Sequence, residues 1–298
     1  MPFAIALDLG GTQTRAALVD EQGNVRNRVS LPTPAQEGGN AVVAQLAIAA
    51  EQATQGATDI IGVGLSSPGP LDTDKGLAVD LPTIKGMTNY PIRAALEEKL
   101  KRTVHLENDG IAAAIGEWKH GAGKGLRSVV FVTVSTGIGG GVIVDGHVLH
   151  GRKGMAGHVG HLAIYPDGLI CSCGNAGCWE AYAAGPAFAA RASKALGKTV
   201  QPTDVFTLAR NGHATAQQQV DEQSRLLGIG ITSLLHLYSP EIVIIGGGLS
   251  NAFDQLHPGI DTYIQKNAML AFKDVPVVKA ALGGNSGLIG AASMVFAA

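Results

Sequence analysis

The sequence predicts an α/β protein built as two lobes, and three observations carry that expectation. Short apolar runs of strand length alternate with longer segments whose apolar residues recur at helical spacing. Two separate stretches, one beginning at Phe3 and the other at Ser128, share a plan of apolar strand, Gly/Thr turn and hairpin partner, the mark of an internal duplication. At 298 residues and 46% hydrophobic, the chain is long enough for more than one core.

Residues 3–9 form the first apolar run, which passes Asp8 and ends in Gly10, Gly11 and Thr12. A second strand over 14–19, the turn Glu21-Gln22-Gly23-Asn24 and a third strand over 25–31 complete a meander. Helical spacing follows over 38–55, then a strand over 59–66. The segment Ser67-Pro68-Gly69-Pro70 must leave the sheet, because prolines supply no ladder donors, and this puts Gly69 on a ligand-facing edge. A helix over 91–101 has Pro91 near its first turn, and a strand over 103–106 leads to Glu107, Asn108, Asp109 and Gly110, ahead of a helix over 111–119.

After Arg127 the run SVVFVTVST is β-branched and nearly all apolar, as in a central strand. A glycine-rich turn over 136–141 follows, then strands over 142–144 and 147–149 joined by Asp145-Gly146, a hairpin signal. Helices are expected over 186–195, 204–210 and 214–238. A last buried strand over 241–245 stops at Gly246-Gly247-Gly248, and helices over 251–267 and 288–297 close the chain. Crossings near residues 107 and 283 divide it into a small lobe, 1–107 plus 283–298, and a large lobe, 108–282.

A formal charge of -2 and the absence of Lys/Arg runs leave no footprint for nucleic acid, so the expected partner is a small molecule. The start, MPFAIALDLGG, has no basic n-region, and no window holds the roughly 18 apolar residues of a spanning helix, so a cytoplasmic location without membrane attachment is expected. Three cysteines cannot all pair with one another, and their CxC spacing suits a metal in a reducing compartment.

The most specific chemistry lies in residues 154–180, which hold Cys171, Cys173 and Cys178 together with His158 and His161. Thiolates crowded this closely beside an imidazole are what a tetrahedral Zn²⁺ site requires. Three glycine-rich strand ends, at 10–12, 136–141 and 246–248, can bring backbone N–H groups close to phosphates, with threonine hydroxyls adding donors. Rival motifs fail. The glycines after residue 136 run into a strand and not a helix, against a dinucleotide fold; no GKS or GKT follows a phosphate loop; and GLSSPG lacks the second glycine of a nucleophile elbow.

Together, DLGGTQTR, NDGIAAA, VSTGIGGGV and GHxxxxxxxxxCxCGxxGCxE resemble the ROK family of sugar kinases and related repressors, in the family's order and over nearly the whole chain. The resemblance implies an actin-like ATPase fold (hexokinase-like, ribonuclease H-like), with two lobes around a central cleft. It also implies phosphorylation of a hexose hydroxyl, usually at C6, by ATP and Mg²⁺, a structural Zn²⁺ beside the sugar, and a homodimer.

By that resemblance Asp109 is the catalytic base, and Asn108, Gly69, His158, His161 and Glu180 surround the sugar. Asp8 holds Mg²⁺ through water. Gly10, Gly11, Thr12, Thr136, Gly137, Gly139 and Gly140 surround the β- and γ-phosphates, and Gly246 and Gly247 lie near the adenosine. His161, Cys171, Cys173 and Cys178 are the zinc ligands, a closed set with no open position for substrate.

Two departures bear on substrate choice. His158, in GHVGH, stands where most sugar kinases of the family carry glutamate, which resembles bacterial N-acetylmannosamine kinases; Leu81-Pro82-Thr83 replaces a frequent Pro-Asn. The expected activity is an ATP-dependent hexose 6-phosphotransferase acting on glucose or N-acetylmannosamine. The alternatives are a non-catalytic sugar-binding relative or a sugar-responsive repressor, whose helix-turn-helix domain of roughly 80 residues precedes the DxGGT strand; here seven residues precede Asp8.

Overall fold

In the computed structural model, which describes residues 2–81 and 83–297, two five-stranded sheets are joined by a pair of helices. Pro82, in the departing segment noted above, lies outside the described residues. The chain opens with the expected meander of β1 (Phe3–Leu9), β2 (Gln13–Asp20) and β3 (Val25–Pro32). Its second turn, between β2 and β3, is fixed by the Asp20 carboxylate, which accepts N–H bonds from Gln22 and Asn24 and lies below the ordinary aspartate pKa. Helix α1 (Gly39–Ala53) buries Val42, Val43, Leu46, Ala49, Ala50 and Ala53 in the first core. Strand β4 (Ile60–Ser67) follows, then a small sheet of β5 (Leu71–Asp72), β6 (Leu77–Asp80) and β7 (Thr88–Tyr90). Helix α2 (Ile92–Leu100), strand β8 (Val104–Asn108) and helix α3 (Asp109–His120) complete the first half.

The second half begins with β9 (Val129–Val134), β10 (Ile138–Val144) and β11 (His147–Val148). Asp145 and Gly146, both at positive φ, form the β10–β11 hairpin turn. Helices α4 (Trp179–Ala183), α5 (Gly185–Leu196), α6 (Pro202–Arg210) and α7 (Ala214–Tyr238) then pack into a second core around Trp179, Phe188, Leu227 and Ile231. Strand β12 (Ile242–Gly246), helix α8 (Phe253–Asn267), strand β13 (Val277–Lys279) and helix α9 (Ser286–Ala297) end the chain.

The repeated plan is present. The sheets run β3-β2-β1-β4-β8 and β11-β10-β9-β12-β13. In each, the first three strands pair antiparallel and the last two join in parallel. Among the described residues no helix is long and apolar enough to cross a membrane.

One expected turn is corrected. Only residues 135–137 reverse direction; Ile138, Gly139, Gly140 and Gly141 are ladder residues of β10, paired with Val134, Thr133, Val132 and Phe131. Two of these glycines serve close packing instead. A Cβ on Gly110 at the start of α3 would lie 2.6 Å from the Gly140 carbonyl, and one on Gly141 would lie 2.5 Å from the Ala114 side chain. The helix therefore rests directly on the strand. Helix α3 also begins two residues earlier than expected, at Asp109.

Helix α3 packs on the second sheet through Ala114 and Phe131, and α9 packs on the first through Leu288, Ala291 and Ala292. The two helices touch backbone to backbone, since a Cβ on Gly290 would overlap the Ala112 carbonyl. Gly290→Ala is therefore expected to lower the unfolding free energy by at least about 2 kcal/mol, as overpacking of a helix contact with no flexible neighbour. Urea unfolding followed by circular dichroism checks it; an unchanged midpoint would contradict this contact.

Candidate active site and metal-ligand cluster

A cavity of 980 Å³ lies between the sheets, bordered by Asp8, Asn108, Asp109, His158, Glu180 and the 246–247 turn. Of the expected sugar and nucleotide residues, Gly10, Gly69, Thr136, Gly137, Gly139, Gly140 and His161 also line it. Gly11 and Thr12 do not. They are exposed in the β1–β2 turn, where the Thr12 carbonyl accepts the Thr33 N–H.

Asp109 occupies the first position of α3, and the preceding Asn108 is the cap. The Asn108 Oδ1 accepts N–H bonds from Gly110 at 3.0 Å and Ile111 at 3.4 Å, an arrangement that contributes about 1 kcal/mol to a helix start. The capping role open to Asp109 from sequence is thus filled by its neighbour. Asp109 accepts the Gly110 N–H at 2.8 Å, has the Asn108 side chain as a further partner, and faces the cleft. Asp109 is exposed along the cleft, with the buried Asn108 and Gly110 on either side of it in the chain. Lost hydration raises its pKa to about 6; the Gly110 N–H pulls downward and the Asp8 charge pushes up.

Asp8 ends the buried run of β1, with its Oδ1 accepting the Ser66 hydroxyl at 2.9 Å and its Oδ2 facing Arg15 Nη1 at 3.2 Å. Arg15, on β2 directly across from Asp8, also lines the cleft. No role for Arg15 or Ser66 was drawn from sequence. Arg15 stood only at the end of the DLGGTQTR motif and Ser66 only in the rejected GLSSPG elbow.

On the other side of Asp109, the loop after β4 brings Gly69 against Asn108 and His158. A Cβ at residue 69 would stand 3.2 Å from Asn108 Nδ2 and 3.5 Å from His158 Nε2. His158 Nδ1 lies 2.9 Å from the Met155 carbonyl, which can only accept, so this nitrogen carries the proton. Nε2 then faces the pocket. Glu180, in the first turn of α4, accepts the Ile138 N–H at 2.8 Å and so joins the zinc-spaced loop to the head of β10. The preceding Trp179 is fully buried and donates its ring N–H to the Leu226 carbonyl, which anchors that turn in the second core.

His161, Cys171, Cys173 and Cys178 converge, with their donor atoms all within 4.8 Å of one another. The Cys173 and Cys178 sulfurs are 3.6 Å apart, as are His161 Nδ1 and Cys171 Sγ. A tetrahedral Zn²⁺ with bonds of about 2.3 Å to sulfur needs S···S edges of about 3.8 Å, so the donor set fits. His158 and His161 stack at 6.2 Å, which connects the cluster to the cleft.

The raised Asp109 has a consequence for stability. Between the unfolded value of 3.8 and the folded value of about 6, the native state binds the proton more tightly. Stability is therefore lost as pH rises through this window, and the loss is complete above it. Asp109→Asn, which keeps the Gly110 acceptor, is expected to melt at a higher temperature than wild type at pH 8, with the gap closing toward pH 4. Thermal melts at both pH values check it, and a pH-independent gap would contradict the assigned shift.

Comparison with known proteins finds relatives over nearly the whole chain. The model of the ROK family matches residues 4–298. A glucokinase of Halalkalibacterium halodurans is 32% identical over 98% of this chain and 94% of its own length. An N-acetylmannosamine kinase of Escherichia coli is 33% identical over 97% and 96%. The ROK family glucokinase of Streptomyces griseus, solved in complex with glucose and AMPPNP, superposes with a TM-score of 0.86 at 30% identity, covering 99% of this chain and all of that one. The two-sheet architecture is the actin-like ATPase fold, and on this full-length match the chain belongs to the ROK family.

Proposed function

We propose that this chain is an ATP-dependent sugar kinase that phosphorylates the 6-hydroxyl of a hexose or N-acylhexosamine, glucose or N-acetylmannosamine foremost. The observation that carries this is Asp109, a carboxyl at about 6 facing a cleft between two unlike surfaces. One surface, formed by Gly69, Asn108, His158, His161 and Glu180, offers the directional donors and acceptors that sugar hydroxyls need. The other, formed by Asp8, Gly10, Thr136, Gly137, Gly246 and Gly247, offers open backbone for phosphates, with Gly139 and Gly140 on the adjoining strand.

In this scheme Asp109 accepts the proton of the sugar hydroxyl as its oxygen attacks the γ-phosphorus and ADP leaves. Catalysis then lies in positioning and charge stabilisation. Mg²⁺, held through water at Asp8, would neutralise the β- and γ-phosphate oxygens. Arg15 would keep part of the Asp8 charge from Asp109. The cleft joins a small lobe of 1–107 plus 283–298 to a large lobe of 108–282, and closure of the two would exclude water that competes as acceptor. Family membership also supports a cytoplasmic homodimer.

The test is ATP turnover against glucose, mannose, fructose, N-acetylglucosamine and N-acetylmannosamine side by side. One or two sugars should exceed the rest by at least tenfold, about 1.4 kcal/mol in the transition state. Asp109→Asn should lower kcat by roughly 10²–10⁴-fold while sugar binding persists. For wild type, kcat/KM should fall tenfold per pH unit below about 6, where Asp109 becomes protonated and can no longer accept. Turnover with no hexose would favour a sugar-binding protein.

The Cys₃His set would hold a structural Zn²⁺, which when bound clamps residues 161–178 and through them the place of Glu180. Elemental analysis should find one zinc per chain, and Cys178→Ser should lose it with a rise in sugar KM larger than that in ATP KM. Full metal content in Cys178→Ser would remove Cys178 from the ligand set.

A further inference from the structure

Glu117 is a buried acid that the phosphoryl-transfer scheme does not use. It lies fully buried in the last turn of α3, where the negative helix end disfavours a carboxylate and an unpaired charge is costly. Four donors offset that cost. Oε2 accepts the N–H groups of Ala122 and Ala281, each at 3.0 Å, and Oε1 accepts the Leu282 N–H and the Ser286 hydroxyl, each at 2.9 Å.

Three of those donors come from one crossing, residues 281–286, more than 160 positions away in sequence. The crossing returns the chain from β13 to α9, and its residues Gly283, Gly284 and Ser286, with Gly287 next in line, form a wall of the cleft. Gly287 sits beside Asp8, since a Cβ there would be 3.3 Å from Asp8 Oδ1. Within the crossing the backbone tie is short-range, from the Asn285 N–H to the Leu282 carbonyl. That tie does not reach α3, so the carboxylate, which gathers the Ala281 and Leu282 N–H groups and the Ser286 hydroxyl, supplies the side-chain link between wall and helix. None of the sugar-facing side chains named above bonds to Glu117.

We propose that Glu117 is a positioning residue for the nucleotide, holding the 281–287 crossing against α3 so that the cleft wall beside Asp8 keeps one shape. The proposal rests on the kinase assignment above. Its chemistry is that of a preorganised wall, where order built into the free protein is not lost again on binding. A purely supporting role would affect both halves of the cleft alike, whereas this one is confined to the phosphate side.

Glu117→Gln preserves shape but turns one oxygen into a donor facing N–H groups. Calorimetry with Mg²⁺-AMPPNP should show the dissociation constant rising at least tenfold, while that of the accepted sugar, measured without nucleotide, changes less than twofold. Amide exchange at Ala281 and Leu282, read without any ligand, should quicken. Ser286→Ala removes one donor only and should weaken AMPPNP two- to threefold, which keeps the test open if the first variant folds poorly. Equal weakening of sugar and nucleotide in step with a lowered melting temperature would overturn the proposal. So would an unchanged AMPPNP constant despite faster exchange. Wild-type protein that binds AMPPNP but phosphorylates no sugar would remove the kinase assignment and leave the Glu117 result standing.

Discussion

The architecture depends on the close approach of α3 and α9, two helices of small residues wedged between the sheets. Gly290 sits against the Ala112 carbonyl and Gly116 against that of Ser286, so neither helix can shift sideways without a backbone collision. Each helix also packs on a different sheet, one through Ala114 and the other through Ala291. The geometry of the cleft is therefore the geometry of this pair. Close-packed interiors transmit small displacements, and Asp109 and Ser286 stand at the cleft-facing ends of the two helices.

Much of this frame was legible because it follows from period. Apolar runs and turn signals placed the strands of both large sheets except β13 and the first four residues of β10, and helical spacing placed α1, α2, α7 and α9. Strands β5, β6, β7 and β13 have two to four residues each, too few to show alternation, and the five-residue α4 is likewise too short to show a helical face. The glycines of β10 misled for a different reason. A missing Cβ serves chain reversal and close packing equally well, and sequence alone does not reveal the helix that lies on Gly140 and Gly141.

The candidate site was legible where chemistry is concentrated and obscure where it is dispersed. Three cysteines within eight positions state their purpose, as does an Asn-Asp pair between strand and helix. Arg15, Ser66 and Glu117 lie in strands and a helix whose polar residues follow no spacing that marks a site. Only the fold brings Arg15 opposite Asp8, Ser66 beside it, and the crossing at 281–286 onto Glu117. Long-range partners of this kind have no spacing to detect.

Charge explains why the cleft needs such partners. Asp8, Asp109 and Glu180 all border it, and a substrate bearing several phosphate charges would meet repulsion from all three. The structure tempers each acid by a different means: Arg15 and Ser66 for Asp8, the Ile138 N–H for Glu180, and for Asp109 a pKa raised to about 6. A carboxylate bound by several strong donors would be a poor proton acceptor. Capping by Asn108 spares Asp109 that task, so the helix start is stabilised without weakening the group placed to receive a proton. His158 follows similar logic on the sugar side. Its Nδ1 lies against the Met155 carbonyl and its Nε2 toward the pocket, where a further carboxylate would add to the negative charge.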